Sequence, residues 1–307
     1  MEPLLLLEGL ARSHDQVVTA DQALRAGLSR ADIRDLCRSG RWRRLALGTY
    51  LVTSGGDPVP SRRSLIRAAV SSFGPRALAV LGTAAELHGI GGLRRTDEIH
   101  VSVPVDDPRA RRTTDTTLVV HQLTLSPEAV SSVGGIPVTT PVATVADLIL
   151  RMDRYSAVCV LDSALNQQLM SDTDLMRIPR LIRGRRGAVA ARRHLAEADG
   201  RAQSPLETRA RLRCVDGRVP PDTLQIDVRD EDGYLLGLGD LGWRAARLVA
   251  EADGAGPHGT PQAIFQDRRR QNLFTNAGWR VLRFTWADTL NPDYIPYVVR
   301  EALRLKW

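Results

Sequence analysis

Three acidic residues near the C-terminal end of the chain could together hold a divalent cation. Asp240 ends one predicted strand, and Glu251 and Asp253 follow the apolar run 248–250 of the next. Because side chains alternate faces along a strand, Glu251 and Asp253 share a face. Mg²⁺ and Mn²⁺ prefer such oxygen ligands, and a cation held there can activate water and stabilise a pentavalent phosphate. The pattern therefore predicts metal-dependent hydrolysis of phosphodiesters.

A second interpretation of the same acids is structural. They would then be remnants or solvated surface on a domain kept for dimerisation or for docking on DNA. Glu251 and Asp253 directly follow a strand that looks buried, where charges without a metal or a partner are costly. That cost favours a ligand, but it disappears if the strand end is exposed. Both interpretations stay open.

Composition predicts a globular cytoplasmic protein. The 307 residues are 43% hydrophobic and 25% charged, which is ordinary for a soluble chain of two or three domains. The leucine run 4–7 has acidic neighbours and is too short for a signal peptide, and no apolar run approaches the roughly 20 residues of a membrane span. Cys37, Cys159 and Cys214 are too scattered for a disulfide framework. We expect no membrane partner.

Net charge supports nucleic-acid binding only weakly. The total is +7, divided as +1 over residues 1–60, +4 over 61–200 and +2 over 201–307, so that no block is strongly basic. The only lysine is Lys306, and 41 of the 42 basic residues are arginine. A GC-rich genome explains that bias more simply than selection for phosphate contacts.

The N-terminal segment predicts a winged helix-turn-helix. Leucines recur with helical spacing over 3–12, Thr19 begins a capping box that opens a second helix, and Ser29 is a strong N-cap for a third. The segment 41–52 then predicts two short strands around Gly48, which would form the wing.

In such a domain the third helix, 29–39, would enter the major groove of DNA. Arginines at helical spacing would face the groove, and those after the helix would reach flanking phosphates. The candidate DNA-binding residues are Arg30, Arg34, Arg38, Arg41, Arg43 and Arg44. The alternative is a winged helix used for protein contact, with these arginines a solvated face offset by Asp32 and Asp35.

The middle segment predicts a mixture of helices and strands without a catalytic constellation. Helices are expected over 64–73, 77–89, 157–169 and 174–182 and from Thr140 onward, with strands over 99–103 and 118–122. His88, His100 and His121 are isolated among apolar neighbours and are expected to be core or surface residues. The arginine-rich stretch 183–187 is expected to be a solvated loop.

The first part of the chain resembles a known family. Residues 1 to about 180 look like the actinobacterial form of the AbiEi antitoxins of type IV toxin-antitoxin systems. The resemblance lies in Gln22-Ala-Leu-Arg-Ala-Gly-Leu-Ser, Gly48-Thr-Tyr-Leu-Val, Thr83-Ala-Ala-Glu-Leu-His-Gly and Val138-Thr-Thr-Pro-Val-Ala-Thr-Val-Ala-Asp. It implies a DNA-binding regulator that represses its own promoter and opposes a nucleotidyltransferase toxin.

Residues 203–303 resemble a second family, the very-short-patch-repair (Vsr-like) endonucleases of the PD-(D/E)XK superfamily. The motifs are Ser204-Pro-Leu-Glu, Gly239-Asp-Leu-Gly-Trp, Glu251-Ala-Asp-Gly, His258, Asp267-Arg268 and Gly278-Trp-Arg-Val-Leu-Arg-Phe-Thr. The resemblance implies a restriction-endonuclease-like α/β/α domain that cuts DNA with Mg²⁺ or Mn²⁺.

That resemblance also assigns site residues. Glu207 would be the acid of the first helix, Asp240 the metal aspartate, and Glu251 and Asp253 the acids of the second strand. Asp240, Glu251 and Asp253 would be the metal ligands. His258 would stand near the role of the family's lysine and assist water, and Asp267 and Arg268 would hold the histidine or the scissile phosphate.

The sequence departs from the nuclease pattern at three points, which bear on whether the site can cut DNA. Asp253 occupies the position of the family's lysine. His258 lies one residue further from Asp253 than usual, and Ala252 replaces a bulky residue. Arg283, on the last core strand, is expected to be structural.

The sequence thus predicts a multi-domain α/β protein: a winged helix over 1–58, a mixed α/β domain over 59–197, and an endonuclease-like domain over 203–307. A linker is expected over 198–204. The leading function hypothesis is a Mg²⁺-dependent DNA endonuclease guided by the winged helix. The alternative is a non-catalytic AbiEi-like autorepressor. Expected partners are duplex DNA and, indirectly, a nucleotidyltransferase toxin; a homodimer is left open.

Overall fold

The computed structural model describes residues 3–53, 59–106, 117–254 and 261–304, without the side chains of 261–264 and 267. The chain forms two compact units. Unit 1 comprises Met1–Ile90 and Arg94–Leu148, and unit 2 comprises Gly91–Leu93 and Ile149–Trp307. Both contain helices and sheets, which confirms the predicted multi-domain α/β class. The predicted domain boundaries, after 58 and near 200, differ from this division.

Unit 1 begins with three helices and a three-stranded sheet. The helices are α1 (Pro3–Ser13), α2 (Ala20–Arg25) and α3 (Arg30–Arg38), and the strands are β1 (Val17–Thr19), β2 (Trp42–Ala46) and β3 (Thr49–Val52). The strands are antiparallel in the order β1-β3-β2. Leu7, Val18, Ile33 and Trp42 form the core between them. Gly48 has a φ of +66°, the left-handed conformation that the wing turn requires.

Both predicted N-caps are present. The Thr19 hydroxyl accepts a hydrogen bond from the backbone N–H of Gln22, and the Ser29 hydroxyl accepts one from the N–H of Asp32. The side-chain oxygens of Gln22 and Asp32 in turn accept hydrogen bonds from the backbone N–H groups of Thr19 and Ser29, so both caps are capping boxes. Local sequence therefore fixes where the second and third helices begin.

Loss of the Ser29 cap should destabilise α3. Ser29→Ala removes the acceptor for the Asp32 N–H and should lower the free energy of unfolding by roughly 1 kcal/mol. Urea unfolding followed by circular dichroism measures the change. Ser29→Asp, which keeps an acceptor, is the matched control and should stay close to the wild type; an equal loss in both variants would contradict the capping role.

The rest of unit 1 is a five-stranded sheet with helices. Its elements are α4 (Arg62–Ser72), β4 (Leu78–Ala79), α5 (Leu81–His88), β5 (Ile99–Ser102), β6 (Leu118–His121), β7 (Val130–Val133), β8 (Ile136–Thr139) and α6 (Pro141–Ile149), with strand order β6-β5-β4-β8-β7. The helix predicted over 77–89 is wrong at its start. Residues Leu78 and Ala79 pair with Ser102 and Val101, so the helix begins only at Leu81.

Ion pairs of Asp15 connect the winged helix to the rest of unit 1. Asp15, between α1 and β1, accepts Arg63 Nε at 3.0 Å and Arg67 Nη2 at 2.7 Å, both from α4. Arg67 also donates to the carbonyl oxygen of Gly134, in the β7–β8 turn, at 2.6 Å. Because the Arg67 side chain is only 7% exposed, water screens these contacts weakly. The winged helix is thus anchored on the five-stranded sheet.

Unit 2 places helices on both faces of a four-stranded sheet. Its helices are α7 (Arg154–Asn166), α8 (Asp172–Leu181), α9 (Ala188–Leu195), α10 (Pro205–Asp216), α11 (Pro261–Asn276) and α12 (Tyr294–Arg304), and its strands are β9 (Thr223–Arg229), β10 (Leu235–Trp243), β11 (Leu248–Ala252) and β12 (Arg280–Phe284). The order is β12-β11-β10-β9, with β11 and β12 parallel and the other pairs antiparallel.

Apolar residues of β11 alternate between two cores. Leu248 and Ala250 pack with residues of α10 and α12, whereas Val249 packs with Phe274 of α11. This alternation shows that the sheet is a central layer between α10 and α12 on one side and α11 on the other.

A buried ion pair connects α7 to α10. Asp162, 1% exposed, accepts Arg211 Nη2 at 2.9 Å, and it also accepts the Thr208 hydroxyl and the backbone N–H of Asp199. Burial raises the pKa of Asp162. Ala202 is buried as well, so residues 198–204 pack within unit 2 instead of forming a linker. These contacts explain why helices α7 to α9 belong with the C-terminal sheet.

Candidate functional site

The predicted recognition helix has an apolar side and an arginine side. Ile33 and Leu36 of α3 are buried in the winged-helix core. Arg30, Arg34 and Arg38 are exposed and, spaced four residues apart, form one row along the helix. Arg38 Nη1 lies 2.8 Å from Asp35 Oδ1, and both side chains are largely exposed. Because the opposite face of α3 packs on the core, its exposed arginine row could contact a DNA groove.

The wing adds three further exposed arginines. Arg41 precedes β2, and its Nη2 lies 3.5 Å from Glu8 Oε1 of α1. Arg43 and Arg44 are on β2, opposite Leu51 and Tyr50 of β3. All six predicted DNA-binding residues are therefore exposed on the winged helix.

A second group of polar residues crosses the sheet of unit 2. Leu241 pairs with Ala250 on one side and with Leu224 on the other, which places Asp240 level with Glu251 and with Gln225. Glu251 in turn pairs with Arg283 of β12. One residue from each of the four strands therefore lies in a single row, the acidic row: Gln225, Asp240, Glu251 and Arg283.

Glu207 of α10 reaches this row through Gln225. Its Oε2 accepts the Gln225 side-chain amide at 2.9 Å and the backbone N–H of Gln203 at 2.9 Å. Strand pairing sets Gln225 level with Asp240, and the Gln225 side chain lowers the pKa of Asp240. Gln225 has a φ of +52° inside a strand, a conformation costly for a side-chain-bearing residue and often found at functional sites. Sequence reasoning missed Gln225, and only its strand pairing with Asp240 could have identified it.

Burial affects the pKa values of two carboxyls beside Gln225, those of Glu207 and Asp240. It raises the pKa of Glu207, and the charge of Asp240 raises it further, against hydrogen bonds from Gln203, Ser204 and Gln225. Burial also raises the pKa of Asp240, while the Ala252 N–H at 2.7 Å from Asp240 Oδ2 and the charge of Arg270 oppose the shift. A positive charge beside these two carboxyls would favour their ionised forms.

Two arginine side chains form ion pairs with Glu251. It is 8% exposed. Its Oε1 lies 2.9 Å from Arg270 Nη2 of α11, and its Oε2 lies 3.3 Å from Arg283 Nη2. Arg283, expected to be structural, thus forms an ion pair with the candidate site residue Glu251.

The structure does not gather the predicted metal ligands into a cation site. Asp253 is exposed, just beyond the end of β11. Within the described ranges, no group of three or more acidic, histidine or cysteine side chains is arranged to hold a metal ion. Arg268 is exposed on α11, whereas His258 and the side chain of Asp267 lie outside the described residues. The catalytic assignments stay predictions.

Replacing Glu207 by glutamine should change the pH dependence of stability. A carboxyl whose pKa is raised by folding stabilises the fold below its ordinary pKa of 4.5, and this contribution is lost as pH rises through the folded value. Glu207→Gln should therefore be more stable relative to the wild type at pH 7 than at pH 4. Thermal unfolding across that range measures the difference. A stability difference that stays constant with pH would contradict a raised pKa.

Comparison with known proteins identifies the family. The model described as "Transcriptional regulator, AbiEi antitoxin" matches residues 6–53, and "AbiEi antitoxin C-terminal domain" matches residues 77–197. The chain belongs to the AbiEi antitoxin family. The first AbiEi match contains all six exposed arginines of the winged helix. Both AbiEi matches end before the acidic row, so the Vsr-like resemblance stays a prediction.

Relatives of this AbiEi protein occur in Mycobacterium tuberculosis. It is 32% identical over 210 residues to the uncharacterized proteins MT2308 and Rv2248 of two strains, which covers 68% of this chain and 74% of each relative. The crystal structure of the RV2827C protein from Mycobacterium tuberculosis is similar with a TM-score of 0.43 and 18% identity, covering 67% of this chain and 78% of that one. None of the helices in the described ranges has the length and hydrophobicity of a membrane span.

Proposed function

We propose that this protein represses its own promoter by binding duplex DNA through the winged helix, as the regulator of a type IV toxin-antitoxin system. The observation that carries the proposal is the exposed row of Arg30, Arg34 and Arg38 on a helix whose opposite side is buried. That row lies in the segment matched by the transcriptional-regulator model. By limiting transcription, the protein opposes a nucleotidyltransferase toxin indirectly.

In this proposal each arginine group has a distinct task. In the major groove a guanidinium can donate two hydrogen bonds to guanine O6 and N7, so the α3 row would read sequence. Arg41, Arg43 and Arg44 on the wing would neutralise phosphates and make binding depend on salt. The ion pairs of Asp15 with Arg63 and Arg67 hold the winged helix in one orientation. None of these steps requires a metal ion.

A homodimer would fit this mode of binding. Two copies of α3 in successive major grooves lie about 34 Å apart, and a palindromic operator matches the symmetry of such a dimer. Footprinting on the promoter together with light scattering of the complex tests this part. One protected half-site with one bound chain would exclude the dimer while leaving repression intact.

A promoter-reporter assay in cells tests the proposed repression. The wild-type protein should silence a reporter placed behind its own promoter, and a variant carrying Arg30→Gln and Arg34→Gln should restore expression. The matched control Arg95→Gln, an exposed arginine elsewhere in unit 1, should still repress. Equal repression by all three proteins would overturn the assignment to α3.

A DNA endonuclease is the second candidate function. It is favoured by the hydrogen bond between Glu207 and Gln225 and by the strand register that sets Gln225, Asp240 and Glu251 side by side. The described residues do not fit a bound Mg²⁺, because two guanidinium groups already neutralise Glu251. We therefore assign no hydrolytic step.

A cleavage assay separates the two candidates. Supercoiled plasmid and mismatched duplexes are incubated with Mg²⁺, with Mn²⁺ and with chelator, beside Asp240→Ala. Metal-dependent nicking that this substitution abolishes would establish the nuclease. Intact DNA in every lane is the result that a regulator predicts.

A further inference from the structure

Arg270 lies beside the acidic row and contacts Glu251. It belongs to α11 and extends its guanidinium towards the strands that carry Asp240 and Glu251. We propose that this guanidinium stands in the place of a divalent cation, so that unit 2 carries a built-in positive charge where a metal-dependent relative of this fold would hold its ion. The inference concerns unit 2 alone and does not depend on DNA binding by the winged helix.

The contacts of Arg270 fix its guanidinium between two strands. Nη2 lies 2.9 Å from Glu251 Oε1 on β11, and Nη1 donates to the carbonyl oxygen of Leu238 on β10 at 3.2 Å. The guanidinium carbon is also 5.7 Å from the centre of the Phe274 ring, one helical turn further along α11. Arg270 therefore bridges the same two strands that carry the predicted metal ligands.

The charge of Arg270 acts on Asp240 as well. Its positive charge lowers the pKa of the Asp240 carboxyl, in opposition to burial, which is the larger effect. Arg270 thus has a direct ion pair with one predicted metal ligand and an electrostatic effect on a second. A bound divalent cation would influence both carboxylates in the same direction.

Charge balance explains why an arginine can replace a metal here. Glu207, Asp240 and Glu251 bring three carboxyls into a poorly solvated place, and Arg270 and Arg283 return two positive charges. Guanidinium is less strongly hydrated than most cations and matches carboxylate geometry, so it suits a partly buried site. Two guanidinium groups thus offset two of the three carboxyls, and a divalent cation would have to displace Arg270.

This account predicts that removal of Arg270 creates a cation site. Arg270→Gln leaves the Asp240 and Glu251 carboxylates in place without their central positive charge. The variant should be less stable than the wild type in chelator and should regain thermal stability in millimolar Mn²⁺. The wild type and the control Arg269→Gln, an exposed neighbour on α11, should show no shift with Mn²⁺. Thermal unfolding and calorimetric titration with Mn²⁺ measure both effects on the full chain.

Two further variants make the test decisive. Arg270→Gln combined with Asp240→Asn should lose the response to Mn²⁺, because a ligand is removed together with the arginine. Arg270→Met replaces Arg270→Gln if the latter does not fold. Binding of Mn²⁺ by the wild type as tightly as by the variant would overturn the proposal, and so would the absence of Mn²⁺ binding by whichever Arg270 variant folds.

Discussion

Replacing Asp162 with alanine should lower the free energy of unfolding of unit 2 by roughly 3–5 kcal/mol. The substitution leaves the guanidinium of Arg211, 11% exposed, without its carboxylate partner. It also removes the acceptor for the Thr208 hydroxyl and for the Asp199 N–H. A buried charge without a partner is among the most destabilising changes in a protein.

Urea unfolding of the full chain measures this effect. The control Arg177→Gln breaks an exposed ion pair with Asp174 in the same unit and should change stability by less than about 1 kcal/mol. Removing both charges, with Asp162→Ala and Arg211→Met, should recover much of the loss. An Asp162→Ala protein as stable as Arg177→Gln would contradict the structural role of this pair.

Substitution of Arg34 should weaken operator binding more than any other single change on the winged helix. Arg34 is at the middle of the exposed row on α3, where a guanidinium can make two hydrogen bonds to one guanine. Arg34→Gln should cost about 1–3 kcal/mol, or roughly 5- to 150-fold in affinity, and should relax the preference for one base pair. Fluorescence anisotropy with the promoter duplex and single-base variants of it measures both effects.

Two other substitutions distinguish base-specific contacts from the nonspecific effect of positive charge on DNA affinity. Arg43→Gln on the wing should weaken binding to all duplexes alike and reduce the salt dependence by about one phosphate contact. Arg95→Gln removes an equal charge away from the winged helix and should leave affinity unchanged. If Arg34→Gln behaved like Arg95→Gln, α3 would not be the recognition helix.

The winged helix could be predicted from sequence because its determinants are local. Thr19 and Ser29 each carry a cap and its reciprocal partner within three residues, and Gly48 supplies the wing turn. The arginine row follows from helical spacing alone. The predicted helices and wing strands accordingly agree with the structure to within a few residues.

Long-range contacts account for what the sequence did not predict. Strand β4 has only two residues and forms through pairing with β5 and β8. Its local pattern alone predicts the start of a helix. The strands β7 and β8 were missed. Within the segment 198–204, where a linker is expected, the Asp199 N–H donates to Asp162, 37 residues earlier in the chain.

In the candidate site of unit 2, too, local patterns could be predicted from sequence and long-range contacts could not. The alternation of residues after the apolar run 248–250 predicts that Asp240, Glu251 and Asp253 come close. Strand register places Asp240 and Glu251 level, whereas Asp253 lies exposed beyond the end of β11. The ion-pair partners of Glu251 come instead from α11 and β12. These elements bring Arg270 and Arg283 to Glu251 from distant parts of the chain. Ion pairs across separate elements carry no local sequence signal, so a metal was the simpler expectation.

The most direct test of the proposed function is operator binding measured in chelator. Wild-type protein, Asp240→Ala and the Arg30→Gln, Arg34→Gln double variant are titrated onto the promoter duplex and onto a scrambled duplex. The proposal predicts tight, sequence-dependent binding by the wild type and by Asp240→Ala without metal, and loss of preference in the arginine variant. Binding that requires Mg²⁺ and Asp240, and that tolerates loss of both arginines, would contradict it.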